Sequence, residues 1–234
     1  MSELERWNTH LSTYVEVTLF GSEVRLAQTP SSMNLGTTVW DASICLAKYL
    51  EKHSRKGDFS RAAVRGKQGI ELGAGPGIAG IAFCLLGGDV LLTDLPVIMP
   101  LLSKNVDANL SAAALRGREG LWDAGAVRVQ ALDWNSPLDI QAAGGPFQYV
   151  LAADCVYHEN HVEPLYRVVV ALTDAKSTVL IANELRSESV QSRFIEIFQA
   201  GFTIKKVPHT KMDPAYRHPS ILLYSLKRRK VARV

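Results

Sequence analysis

Hydrophobic and polar positions change their period along the chain. Between residues 14 and 26 they alternate: Val15, Val17 and Leu19, a turn at Gly21-Ser22, then Val24 and Leu26. A period of two with one apolar face predicts a β-hairpin. A polar stretch with Pro30, Asn34 and Gly36 follows. The period then becomes helical, with Trp40, Ile44, Ala47 and Leu50 on one face of a helix over 39–51. Residues 53–67 are basic and punctuated by glycine, which reads as a surface loop.

From Gln68 onward, short apolar runs alternate with longer amphipathic ones. Strands are predicted over 68–72, 89–93, 127–132, 148–153, 178–182, about 203–208 and 221–226. A helix follows the glycine-rich turn at 73–77 and runs to 86, a second takes Pro96 in its first turn and runs to about 110, and others fill 161–173 and 187–200. Residues 112–125 form a charged, glycine-containing insertion. Strands alternating with helices predict an α/β fold, a mostly parallel sheet covered on both faces. No linker interrupts the alternation. The chain therefore reads as one domain, with an N-terminal hairpin extension (1–38), a core (39–226) and a basic tail (227–234).

Composition narrows the classes. At 234 residues, 47% hydrophobic and 21% charged, the chain can bury a full core, which excludes disorder as its main state. A net charge of +3 is too small to imply nucleic acid by itself. Cys45, Cys84 and Cys155 are far apart and odd in number, so no disulfide framework is expected and a reducing compartment is: the cytoplasm, with the nucleus as a further site. The longest apolar run, 78–86, is far short of the ~20 residues of a membrane span. The N-terminus carries Glu3 and Glu5 and does not read as a signal peptide.

The candidate chemistry starts at Gly73-Ala74-Gly75-Pro76-Gly77, between a strand and a helix. Glycines there let backbone approach a ligand closely. Asp94 ends the next strand, 21 residues after Gly73, where a carboxylate can accept both hydroxyls of a ribose. A nucleoside-bearing cofactor is the expectation, against a bland alternative of a tight turn and a helix-capping Asp. Two cofactors compete. Gly75, Gly77 and Gly80 satisfy GxGxxG, the nicotinamide fingerprint, but the match starts three residues after the strand. S-adenosylmethionine has no diphosphate; its sulfonium and α-amino group favour carboxylates. Glu71, just before the turn, could orient the loop backbone or meet that amino group, and an acid there disfavours a diphosphate.

ELGAGPG with Asp94 resembles the first two motifs of the seven-β-strand S-adenosylmethionine-dependent methyltransferases, and VWDASICLAKYLE, DWN and AADCVYHENHVEPL resemble their protein-lysine branch. The likeness runs from about Val39 to Tyr224. It implies a Rossmann-like seven-stranded sheet with a final antiparallel strand. It also implies transfer of the methyl group of S-adenosyl-L-methionine to a lysine ε-amine, leaving S-adenosyl-L-homocysteine. Within the branch the valosin-containing-protein lysine methyltransferases are nearest, which implies a protein substrate such as that AAA ATPase chaperone and a monomeric enzyme, without nucleic acid or membrane.

Carried residue by residue, the resemblance gives Trp40 to the cofactor pocket; Gly73, Ala74 and Gly75 to the methionine part, with Glu71 beside them; Asp94 to the ribose; Leu95, Asp133 and Trp134 to the adenine; and Ala153 to a backbone contact. Asp154-Cys155-Val156-Tyr157 matches the DxxY motif: Asp154 would hold and align the incoming ammonium, and Tyr157 would fix the amine lone pair and shape the channel. In Asn183-Glu184-Leu185-Arg186, Asn183 departs from the aromatic that often precedes the Glu, and Glu184 reads either as a substrate-side acid or as half of a surface ion pair. Competing readings are a methyltransferase for a small molecule or RNA, a binding module with a degenerate site, and a nicotinamide oxidoreductase. DxxY argues against the RNA base amine, and no hydride-site Tyr-x-x-x-Lys pairs with the third. His158 and His161 lack HExxH spacing, so no metal is expected. Cys155 reads as a small buried residue, and Lys227 to Lys230 as a solvated end.

Overall fold

The computed structural model describes residues 9–116 and 123–229. The chain opens with the hairpin β1 (Tyr14–Leu19) and β2 (Ser22–Ala27), then α1 (Asp41–Lys52) and a short α2 (Arg61–Val64). There follow β3 (Gln68–Leu72), α3 (Ile78–Leu85), β4 (Asp89–Asp94), α4 (Met99–Leu110), α5 (Ala112–Leu115), β5 (Val127–Ala131), α6 (Pro137–Ala143) and β6 (Tyr149–Ala153). The last elements are α7 (Glu159–Ala171), β7 (Thr178–Glu184), α8 (Glu188–Phe198), β8 (Phe202–Lys206) and β9 (Ile221–Arg228).

Seven strands form one sheet in the order β5-β4-β3-β6-β7-β9-β8, with β9 antiparallel to both neighbours and the other pairings parallel. The expected seven-stranded Rossmann-like fold and the separate N-terminal hairpin are both present. Both faces are buried, which is why the central strands read as continuous apolar runs. Leu151, Leu180 and Ala182 pack with α1 and α3, whereas Ile70, Val150, Val179 and Ile181 face α7 and α8. Chain order reverses between β3 and β6, so the carboxyl ends of β3, β4 and β6 frame the crevice where such sheets place ligands.

The hairpin turns at Phe20-Gly21, both at positive φ, as two-residue hairpin turns require. Val17, Leu19, Val24 and Leu26 are buried, while Glu16 and Arg25 face out. Its edge is completed by side chains instead of a third strand. Asn105 of α4 accepts from the Ala27 N–H at 2.8 Å and donates to its carbonyl at 2.9 Å. One turn on, Asn109 does the same for Arg25 at 3.1 and 2.8 Å. Buried Gln28 accepts from the Val39 N–H at 2.9 Å, which fixes both ends of the connecting segment 29–38.

Several local expectations change. Residues 53–67 are not only surface: Phe59 and Val64 are buried, the latter in α2. Pro100, not Pro96, takes the early helical position in α4. Helix α6 was not expected; Ser136 caps it, accepting from the Asp139 N–H. Lys227 and Arg228 continue β9 instead of starting a tail, and 230–234 lie outside the described residues, as do 117–122 of the insertion. Among the described residues no helix is long and apolar enough to cross a membrane.

Candidate active site

A cavity of about 360 Å³ opens at the carboxyl ends of β3, β4 and β6, within the range of small-molecule sites. One wall is the glycine turn. Gly73 and Gly75 sit at φ +61° and +54°, in the left-handed region. A Cβ at Gly73 would lie 2.8 Å from Cys155 Sγ and 3.2 Å from the Trp134 ring, and one at Gly75 would lie 3.0 Å from the Gly36 carbonyl oxygen. Only glycine fits either position, and the turn lies bare to the cavity.

Asp94 stands at the end of β4. One carboxylate oxygen accepts from the Gly75 N–H at 2.7 Å and the other from the Leu95 N–H at 2.7 Å. Burial raises its pKa, and those two bonds oppose the rise. The carboxylate keeps further lone pairs toward the cavity it lines. Asp133 and Trp134 line it after β5, and Asp133 is held by accepting from the Asn135 N–H at 2.8 Å. Leu95, Ala74 and Ala153 complete that half.

Trp40 is the residue before α1, and its indole N–H donates to the Leu35 carbonyl at 3.0 Å. That bond pins the 29–38 segment across the mouth, where Met33, Leu35 and Gly36 line the cavity. No sequence motif marks this strap; its only signals are a glycine and its position between the hairpin and Trp40.

Glu71 is placed differently from the expected ligand contact. It is fully buried beneath the turn, outside the cavity lining, and accepts from the Gly80 N–H of α3 at 2.7 Å. Burial pushes its carboxyl up to about 8; the Gly80 bond pulls it back and Asp94 pushes it further. Its carboxyl thus holds the first turn of α3, just after the glycine turn, instead of facing the cavity.

The opposite wall is the turn after β6. Asp154 has φ +56°, a costly conformation outside glycine. It is over-determined by bonds: its N–H donates to Ala182 O at 2.7 Å, and its carboxylate accepts from the Glu184 N–H at 3.1 Å. Arg186 then grips both oxygens in a fork, at 2.8 and 2.7 Å. Arg186 also pairs with Glu184 at 2.9 Å and lies 5.2 Å from the centre of the Trp40 ring. The Asp154 side chain is only 2% exposed. The carboxylate expected to hold and align an ammonium is thus itself held by Arg186. Glu184 is buried too, so its ion pair is not the surface pair the sequence allowed.

Tyr157 stands at the rim, 38% exposed, with its ring 4.8 Å from that of His161. Burial raises its pKa, helped by Cys155, Asp94 and Asp154. His161 lines the cavity and is shifted down by burial and by His158. Cys155 is buried, its thiol pushed well above its usual range by burial and by the surrounding acids, which leaves it a protonated filler donating to Leu72 O.

The sequence model of a lysine methyltransferase family matches residues 21–200. The chain belongs to this lysine methyltransferase family. It is 32% identical over 192 residues to a zebrafish (Danio rerio) protein named protein N-lysine methyltransferase METTL21A, covering 82% of this chain and 80% of that one. It is 33% identical over 214 residues to the mouse (Mus musculus) EEF1A lysine methyltransferase 3, covering 85% and 84%. A Thermus thermophilus methyltransferase structure, RsmC, superposes with a TM-score of 0.61 at 17% identity over 92% of this chain and 50% of that one, and a TehB-like methyltransferase of Corynebacterium glutamicum with 0.55 at 18% over 80% and 89%; these share the fold.

The lysine methyltransferase uses S-adenosylmethionine, and its site fits that molecule. The bare glycine turn leaves room for the methionine part, Asp94 for the ribose, and Leu95 with Trp134 for a flat base. Among the described residues no group of three or more His, Cys, Asp or Glu side chains is arranged to hold a metal ion.

Proposed function

We propose that this lysine methyltransferase acts on a lysine of a folded protein partner, with Asp154 and Tyr157 on the acceptor side and Trp40, Gly73, Ala74, Gly75, Asp94, Leu95, Asp133, Trp134 and Ala153 on the cofactor side. The observation that carries this reading is the meeting of two turns: the DxxY turn packs directly on the glycine turn through Cys155 and Gly73. Acceptor and donor walls are therefore in contact across one small cavity.

S-adenosylmethionine, when bound, supplies an electrophilic methyl group on a sulfonium. The protein's own task is to deliver a neutral amine in line with it. A lysine of pKa ~10.4 costs about 4 kcal/mol to deprotonate near pH 7.4, and an enclosing apolar wall lowers that cost by desolvation. Tyr157 at the rim supports a channel of that kind. Asp154, fixed by Arg186, supplies the charge that orients an approaching side chain. The principal contribution of both is positioning.

Two protein acceptors are supported. The motif resemblance favours a AAA ATPase chaperone such as valosin-containing protein; the 33% identity to a protein named for EEF1A favours EEF1A. Incubating the enzyme with labelled cofactor and a cell lysate, followed by mass spectrometry of the labelled band, separates them. A labelled lysine on either protein supports the function and selects the substrate. Label confined to RNA or metabolites overturns it.

A further inference from the structure

Two buried carboxylates and one guanidinium sit behind the acceptor wall. Asp154 and Glu184 carry side chains 2% and 10% exposed, and Arg186 lies between them. Asp154 and Trp40 line the cavity, and Arg186 touches both. We propose that Arg186 is a positioning residue that sets the ionisation of the acceptor lysine, offsetting one unit of the acid pair's charge while it locks Asp154 into its strained turn. This rests on the lysine-acceptor reading above and adds a residue and a mechanism to it.

The physical reason is a conflict in the chemistry. Carboxylates attract an approaching ammonium, but only the neutral amine has a lone pair for methyl transfer. Two uncompensated carboxylates would stabilise the ammonium and raise the lysine pKa. A guanidinium keeps its proton throughout any working pH range, so it cancels one charge permanently. The planar fork also fixes the carboxylate geometry, which a lysine in its place would not do. The acid charge, lessened by one unit, draws the side chain in without trapping its proton.

Other ionisable groups face this cluster. Asp94, Asp133, Cys155, Tyr157 and His161 line the same cavity. Asp41 begins α1 beside Trp40, and His218 reaches Glu184 through Ser220, at 2.7 and 3.4 Å. Cys155 and Tyr157 are shifted up and His161 down, away from the interval in which the amine titrates. Glu71, pushed up to about 8, falls inside that interval in every variant, so the displacement between variants is the quantity to read.

The test is the pH dependence of kcat, which reports ionisations within the enzyme–substrate complex, between about pH 6.5 and 10, using at saturation the lysate protein band that the wild type labels as acceptor. Arg186→Met removes one positive charge, and the rising limb moves up by about one pH unit, the size of one charge roughly 12 Å away at an effective dielectric near 20. Glu184→Gln removes one negative charge, and the limb moves down. Arg186→Lys keeps the charge but loses the fork: the limb stays and kcat falls. A purely structural role would lower all three activities without these opposed displacements. If folded Arg186→Met and Glu184→Gln both keep the wild-type limb, the proposal is wrong; if Arg186→Met does not fold, Glu184→Gln decides by the direction of its displacement. A wild type that labels no lysine at any pH removes the acceptor reading itself, a result distinct from a labelled lysine with an unmoved limb.

Discussion

Glu71→Gln separates two roles for an acid beside the glycine turn. Glu71 is fully buried, and burial holds its carboxyl at about 8 against an ordinary 4.5, with the Gly80 N–H opposing. The folded state thus binds the proton more tightly than the unfolded state. Stability falls as pH rises from about 4.5 to 8, and the penalty for ionising the buried group is complete above 8. The gap corresponds to a penalty on the order of 4–5 kcal/mol, large against a typical domain stability of about 5–15 kcal/mol. Glutamine stays neutral and can still accept from Gly80. Urea unfolding followed by tryptophan fluorescence is therefore expected to give nearly equal stabilities for wild type and Glu71→Gln at pH 4.5, and a variant more stable by several kcal/mol at pH 9. The affinity for S-adenosylmethionine is expected to change by less than about threefold, because Glu71 holds the first turn of α3 and does not line the cavity. A stability difference that does not vary with pH would refute the burial argument. A tenfold loss of affinity at pH 9 would restore the ligand contact.

Asn105→Ala removes three bonds from a buried side chain, to the Ala27 N–H, the Ala27 carbonyl and the Pro76 carbonyl. It should cost about 1–3 kcal/mol in chemical denaturation, and weaken cofactor binding by calorimetry because the strap after β2 loses its anchor; wild-type values in both would reject that coupling. Asp154→Asn is a cleaner probe than alanine, since asparagine tolerates positive φ and can still accept from the Glu184 N–H. Methyl transfer should fall at least about tenfold, with cofactor affinity within about threefold; unchanged turnover would remove Asp154 from the acceptor site.

The sheet was legible because its strands are buried on both faces and its helices are amphipathic, so each element carries its own pattern. Helix α6 was not, because seven residues with two alanines make too short a periodic run. Asp94 and the glycine turn were legible because their spacing is a local consequence of one β-α-β unit. The direction of Glu71 follows from strand geometry. Successive strand residues point to opposite faces, and Glu71 points with Gly69 toward α3, while the ligand lies beyond the end of the strand. The grip of Arg186 on Asp154 could not be seen at all. It spans 32 positions, and it exists only because β6 and β7 pair in parallel with Ala153 opposite Ala182, which brings the two turns that follow them together.

That pairing also explains why the acceptor wall is made of charges and the donor wall of backbone. The donor wall must accept a ligand edge at close range, and removing side chains achieves it: Gly73 and Gly75 have no room for a Cβ. The acceptor wall must hold one carboxylate at a strained φ of +56° against a closed cavity, and no backbone bond alone can do so. It takes Arg186, reaching from the end of β7, with Trp40 packed against its guanidinium from the end of the strap. Trp40 thereby touches both systems: its indole N–H bonds Leu35 at the cavity mouth, and its ring backs the cation that fixes Asp154.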